Sequence, residues 1–261
     1  MDQLLRASIA GDMAAAQEAA SALPAAGDPS LERGAILALG RALECGNLNI
    51  AQWLATRFGL TAPRYRPLIV STMQGLCASP DAAAWLAERF RITPEEISAN
   101  DNWALQHACL RGRLNVAKWI ADNSGEKLIS AADATTALAA ACSNGHFNVA
   151  QWLAERFGLK TEDVRAKCNQ ILRRACASGN FSLAEWLVGN FNLTAEDARA
   201  CNSAALRDAY SRGHINIAQL LVDHFSLRDD EIAHFRGLRP SAGPLIKGAA
   251  HAGSGSFCTQ N

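Results

Sequence analysis

The chain has 261 residues, 49% of them hydrophobic, and its 25 basic side chains are balanced by 25 acidic ones. Zero net charge excludes the broad electrostatic affinity for nucleic acid or anionic membrane that surplus Lys and Arg confer, and leaves open only a local basic patch. No stretch reaches the roughly 20 apolar residues that a spanning helix needs, and the opening MDQLLRASIAGDMAAAQEAA has an acid at position 2 and no sustained apolar region, so it is not expected to act as a signal peptide.

Residues 1–27 read as a worn end unit. In ASIAGDMAAAQEA, at 7–19, Gly11 and Glu18 stand where later units carry Gly and Trp. A polar residue there suits an N-terminal cap whose outer face meets water. Six fuller units fill 28–236, and each ends in a variant of one phrase. These are NIAQWLATRFGL at 49–60, AAAWLAERFRI at 82–92 and NVAKWIADNSG at 115–125, then NVAQWLAERFGL at 148–159, SLAEWLVGNFNL at 182–193 and NIAQLLVDHFSL at 216–227. The anchors Trp53, Trp85, Trp119, Trp152, Trp186 and Leu220 are spaced 32, 34, 33, 34 and 34 residues apart. Such a period marks stacked supersecondary units. The short spacing has a visible cause: CASPDAAAW at 77–85 lacks two residues that CASGNFSLAEW at 176–186 has at the turn.

Within a unit the first segment reads ALQHACLRG at 104–112, ALAAACSNG at 137–145 or ILRRACASG at 171–179. Its Leu and Cys are four apart, on one helical face. Gly46, Gly112, Gly145, Gly179 and Gly213 then supply a helix stop. The second segment carries an apolar stripe, as Val149, Trp152 and Leu153 show at i, i+3 and i+4. It ends at Gly59 or Gly158, or at Asn192, which also tolerates left-handed backbone. A short third helix is predicted from ITPEEIS at 92–98, KTEDVRA at 160–166 and LTAEDARA at 193–200. Thr93 and Glu96 form a capping box with Pro94 at the first helical position, and Thr194 with Asp197 is a weaker version. Two helices of about ten residues cannot enclose a core alone. The expected fold is therefore an all-α solenoid of about seven repeats of 32–34 residues, with the repeated Trp packed in the core between successive units.

The pattern ALxxAxxxGHxNVAQWLxERFG resembles the ankyrin repeat, in which Ala-Ala, Gly-His, Val-Val and Leu-Leu recur. His146 and His214 hold the His place; Asn47, Arg113 and Asn180 replace it. The resemblance spans about residues 1–236. It departs at the missing Thr-Pro-Leu-His start and at the hairpin, where FGLTAEDARA stands, so little or no strand is expected. This looks like the divergent ankyrin repeats multiplied in protists and in the giant viruses that infect them. The resemblance implies a non-catalytic scaffold or adaptor, without cofactor or metal, that binds another protein on its concave face. It also implies contact positions just before Gly: Leu110 and Arg111, Ser143 and Asn144, Ala177 and Ser178, Ser211 and Arg212. Their chemistry changes from unit to unit while the frame does not.

A second reading rests on Arg111, Arg113, Arg173, Arg174, Arg207 and Arg212, all on or just after first helices. If they share one surface, a basic strip could face an acidic peptide or a phosphate backbone; Asp208 interrupts it. Of the eight cysteines, Cys77, Cys109, Cys142 and Cys176 recur once per unit and read as small buried residues. Packed helices lie ~8–10 Å apart, too far for a disulfide between such a column's members. Cys168 and Cys201 sit near first-helix starts, partly exposed. Unpaired thiols suit a reducing compartment, so the chain is expected in the cytoplasm, or the nucleus, as a monomer. His107 and Cys109 are two apart and point to different helix faces, which disfavours a nucleophile pair. His146 and His214 are expected to make backbone hydrogen bonds. The segment 237–261, rich in Gly, Ala, Ser and Pro, reads as a disordered tail.

Overall fold

The computed structural model describes residues 1–24, 28–60, 62–76, 78–125 and 128–236. Cys77, and the segment 237–261 with Cys258, lie outside the described residues. Among those described, the chain is helical and has no strand. The first unit is α1 (Asp2–Ala10) and α2 (Met13–Ser21). The second is α3 (Pro29–Glu44) and α4 (Leu48–Arg57), and the third α5 (Ala62–Leu76) and α6 (Pro80–Phe90). The fourth opens with the separate short helix α7 (Pro94–Ile97), followed by α8 (Ala99–Leu110) and α9 (Leu114–Asn123). Then come α10 (Ala131–Ser143) with α11 (Phe147–Phe157), α12 (Thr161–Ser178) with α13 (Phe181–Asn190), and α14 (Ala195–Ser211) with α15 (Ile215–Phe225). A last helix, α16 (Asp229–Arg236), packs on α14. The first helices α1, α3, α5, α8, α10, α12 and α14 form one row in which each packs on the next.

Helix ends fall where the stop signals stand. Gly46, Gly112, Gly145, Gly179 and Gly213 all have positive φ, as do Gly59, Gly158 and Asn192 after second helices. Arg91 and Ser226 adopt the same left-handed conformation without being Gly or Asn. There the following residue closes the helix, Ile92 N–H donating to Ala87 O at 2.9 Å and Leu227 N–H to Val222 O at 3.0 Å, which offsets part of the conformational cost.

The core is one continuous ribbon. Leu105 with Cys109, Leu138 with Cys142, and Leu172 with Cys176 are all fully buried, as are Leu54, Leu86, Leu153, Leu187 and Leu221 of the second helices. The repeated tryptophans differ from expectation. Trp53, Trp85, Trp119, Trp152 and Trp186 are only partly buried, packed against the ribbon's margin. The Leu one place further along, or Ile120 in the fourth unit, takes the centre of the stripe, and the indole bridges the seam between units. Trp186 shows this, meeting Phe191 of its own unit and Phe147 of the preceding unit edge-to-face, with ring centroids 5.6 and 5.8 Å apart.

The predicted third elements are helical: the one at 92–98 stands apart as α7, and those at 160–166 and 193–200 run on into the next first helix as α12 and α14. In α8, α12 and α14 a left-handed turn of three residues breaks the helix: Asn100–Asp101–Asn102, Lys167–Cys168–Asn169 and Cys201–Asn202–Ser203. Asn102 and Asn169 are buried and donate to Leu128 O at 2.8 Å and Asp197 O at 3.1 Å of the next unit. These turns overturn one expectation. Cys168 and Cys201, both exposed, form a disulfide with Cα atoms 5.9 Å apart. The helix-to-helix spacing that separates the buried column does not apply to backbone that has left the helix cylinder. Cys109, Cys142 and Cys176 are free and buried, and Cys45 is free and exposed.

The acids that cap the third helices also receive an arginine from the preceding unit. Arg66 binds Glu96, Arg165 binds Asp197 and Arg199 binds Glu231, at 2.5, 2.9 and 2.6 Å. The same carboxylates accept the backbone N–H of Thr93, Thr194 and Arg228. For Glu96 and Glu231 the arginine hydrogen bond is the main cause that holds the carboxyl below its usual range, Glu231 at about 2. Burial pushes Asp197 up, and Arg165 and Thr194 together bring it below its ordinary value.

Candidate functional site

In four units the residue after the first-helix Gly ties its unit to the one before. Asn47 donates to Ser8 O and Ile9 O at 3.0 and 3.1 Å, and Asn180 to Gly145 O at 2.7 Å. The Nε2 of His146 lies 3.1 Å from Leu110 O, and that of His214 3.2 Å from Ala177 O. A carbonyl only accepts, so Nε2 carries the proton in both. Each ring lies on the Gly of the unit before: a Cβ at Gly112 would sit 2.6 Å from His146 Nδ1, and one at Gly179 2.6 Å from His214 Cε1. The histidines are thus structural links, in agreement with the expected backbone hydrogen bonds.

The contact positions divide by unit. Leu110 and Arg174 line a cleft of about 520 Å³ formed by α8, α10 and α12, with Ala139, Lys167 and Gln170. Ser143 accepts from Arg174 Nη1 at 2.6 Å, and Asn144 donates to Leu110 O at 2.7 Å. Ala177 and Ser178 are half-buried, Ser178 donating to Ala175 O at 2.8 Å. Ser211 is half-buried, and Arg212 is exposed beyond it. The structure therefore brings Leu110, Ser143, Asn144 and Arg174 together across two unit boundaries.

The arginine strip is partly neutralised. Arg173 pairs with Asp208 at 3.2 Å, and Arg111 lies 3.8 Å from Glu44. Arg207 is half-buried on α14. The buried thiols are pushed upward by desolvation, Cys176 to about 12, so none is a ready nucleophile. His107 stacks on Trp103, ring centroids 4.7 Å apart, and Cys109 faces the core. Among the described residues no group of three His, Cys, Asp or Glu is placed to hold a metal, and no helix is long and apolar enough to cross a membrane.

Residues 77–168 match the family described as ankyrin repeats, in three copies. Residues 77–168 carry ankyrin repeats. The matched copies run from the end of α5 to the left-handed turn of α12, and the ankyrin Gly, the residue that reaches back from it and the buried Leu recur on both sides of the match. Ankyrin repeats are in general protein–protein interaction modules, and proteins built from them are typically non-catalytic. No curated protein matches the chain.

Sequence reasoning missed two features of this helical array. One is the arginine-to-cap ladder, for which Arg66, Arg165 and Arg199 at unit-related positions were the available signal. The other is a patch of exposed apolar residues on the first helices, Leu37, Leu68 and Trp103.

Proposed function

We propose that the chain is a non-catalytic scaffold or adaptor that holds a partner protein on its first-helix face, the concave side of an ankyrin array. One observation carries this reading: the cleft of about 520 Å³ lies on that face, spans three units, and has Leu110, a variable position before Gly, and Arg174, one of the first-helix arginines, in its wall. Residues 1–27 act as the N-terminal cap, 28–236 as the binding array and 237–261 as a tail. Asn47, and Arg57 donating to Ala20 O and Leu23 O, are what would anchor the cap. Four free thiols among the described residues favour the cytoplasm or nucleus, with the Cys168–Cys201 pair counting the other way. No observation favours the nucleic-acid reading: two arginines of the strip already face carboxylates, which lowers the gain from releasing phosphate counterions.

Affinity capture from the parent cell's lysate tests the reading, with the native chain and the variant Asn144→Ala/Arg174→Ala run side by side. A partner retained by the native chain and lost by the equally stable variant is the expected result. A partner indifferent to this variant, but lost when exposed second-helix residues such as Lys118 and Glu155 are changed, would place the interaction on the opposite face.

A further inference from the structure

Three large apolar side chains are exposed close together on consecutive first helices. Leu37 of α3 is 51% exposed, Leu68 of α5 43% and Trp103 of α8 42%. Leu37 and Trp103 share one register, at which Ser71, Thr136, Gln170 and Ala204 stand in other units, and Leu68 lies one turn earlier on α5. The three lie around one cleft and face solvent, the character of a binding patch.

The patch borders a cleft of about 290 Å³ between α3, α5 and α8, whose buried floor includes Ile36 and Thr72. That volume is at the small end of ligand sites, which run from about 300 Å³ upward, and suits a side chain or two better than a cofactor. Trp103 also walls a second cleft with Pro67 and Val70, so its ring stands as a ridge between two hollows. His107 stacks on that ring and holds it in place before any partner arrives. A pre-positioned Trp costs little side-chain entropy on binding.

Charge selects the occupant. The cleft's polar rim carries Arg41 and Arg111 against the single carboxylate of Glu44, at 2.6 and 3.8 Å. Each guanidinium has five N–H donors, so one shared carboxylate leaves most of them unused. Both arginine side chains are close to half exposed, at 46% and 49%. We propose that this cleft docks a peptide segment of a partner protein in which a bulky apolar side chain lies next to a carboxylate. The apolar group packs on Trp103, Leu37 and Leu68, and the carboxylate bridges Arg41 and Arg111. This rests on the protein-binding reading above and places its energetic centre away from the α8–α10–α12 cleft.

The probe is a fluorescein-labelled library of short peptides with Phe or Leu beside Glu or Asp, titrated with the full chain by fluorescence anisotropy. Counterpart libraries carry Lys for the acids or Ala for the apolar residue. Acidic–apolar peptides should bind best and lose affinity in about 0.5 M salt, where screening reaches a few ångströms. Trp103→Ala and Arg111→Ala should each weaken them roughly tenfold or more, with thermal melts run on both variants so that affinity is compared between folded chains. Leu68→Ser gives a second apolar variant. Preference for the Lys library, no binding by any library, or equal binding to Trp103→Ala overturns the proposal. So does sedimentation showing that Trp103→Ala abolishes a dimer of the chain, since the occupant would then be a second copy. If a partner is lost by Asn144→Ala/Arg174→Ala but indifferent to Trp103→Ala, this patch fails while the first-helix reading stands. Indifference to both variants sinks the two together.

Discussion

Alanine at Gly179 should destabilise the chain more than alanine at Gly46, although both glycines end first helices with nearly the same backbone. Gly46 has φ +82° and nothing within 4 Å of an added Cβ. Gly46→Ala therefore carries only the left-handed cost of an L residue, about 1–2 kcal/mol. Gly179 has φ +80°, and its Cβ would lie 2.6 Å from His214 Cε1, well inside contact distance. The ring cannot retreat freely, because its Nε2–H is bonded to Ala177 O at 3.2 Å. Overpacking of this kind adds about 1–3 kcal/mol, so Gly179→Ala should cost about 2–5 kcal/mol in all. His214→Ala removes the obstacle and loses one hydrogen bond, about 0.5–1.5 kcal/mol. In that background Gly179→Ala should fall to the cost of Gly46→Ala. Urea unfolding followed by circular dichroism on the four chains of the cycle measures the coupling, expected at about 1–3 kcal/mol. Gly112 and His146 provide a repeat of the experiment with the same geometry. Equal losses at Gly46 and Gly179, or a coupling near zero, would refute the close approach of ring to glycine.

Leu153→Ala should cost about 2–5 kcal/mol, and Trp152→Ala no more than about 2–3 kcal/mol, because Leu153 is fully buried and Trp152 only partly; urea melts of the two variants give the order, and a larger loss at Trp152 would return the indole to the core. Reduction of Cys168–Cys201 opens a loop of 33 residues and should lower stability by about 2–4 kcal/mol. Unfolding midpoints with and without dithiothreitol check this, and a Cys168→Ser/Cys201→Ser variant should be insensitive to the reductant. Glu96, Asp197 and Glu231 titrate below their ordinary values in the folded chain. As pH falls the unfolded chain takes up these protons first, so the ladder's contribution is full above about 4.5 and is lost on the way down toward about 2. Arg199→Gln should flatten the low-pH end of that decline, which acid titration of the melting temperature reads.

The helix pairs, their stops and the capping boxes were legible because each is written in residues a few places apart. Gly112 ends α8 and Thr93 opens α7 for reasons local to them. The pairing of Cys168 with Cys201 was not legible, since it depends on left-handed turns that no Gly or Pro announces. The depth of Trp152 was not legible either, because periodicity identifies an apolar stripe without saying which member stands at its centre. Of the residues in the cleft, Leu110 was found from its place before Gly and Arg174 from its place among the first-helix arginines, whereas nothing in the local pattern set Leu37, Leu68 and Trp103 apart.

By itself the sequence determined a stack of near-identical helical units, because a period of 32–34 residues with one apolar stripe per helix has no other way to bury its surface. Tertiary structure alone decided what the units do to each other: which arginine reaches which cap, which thiols meet, and which apolar side chains are left facing water. Those outcomes depend on backbone that leaves the helical path between units, and on neighbours a whole repeat away, to which local residue pattern is blind.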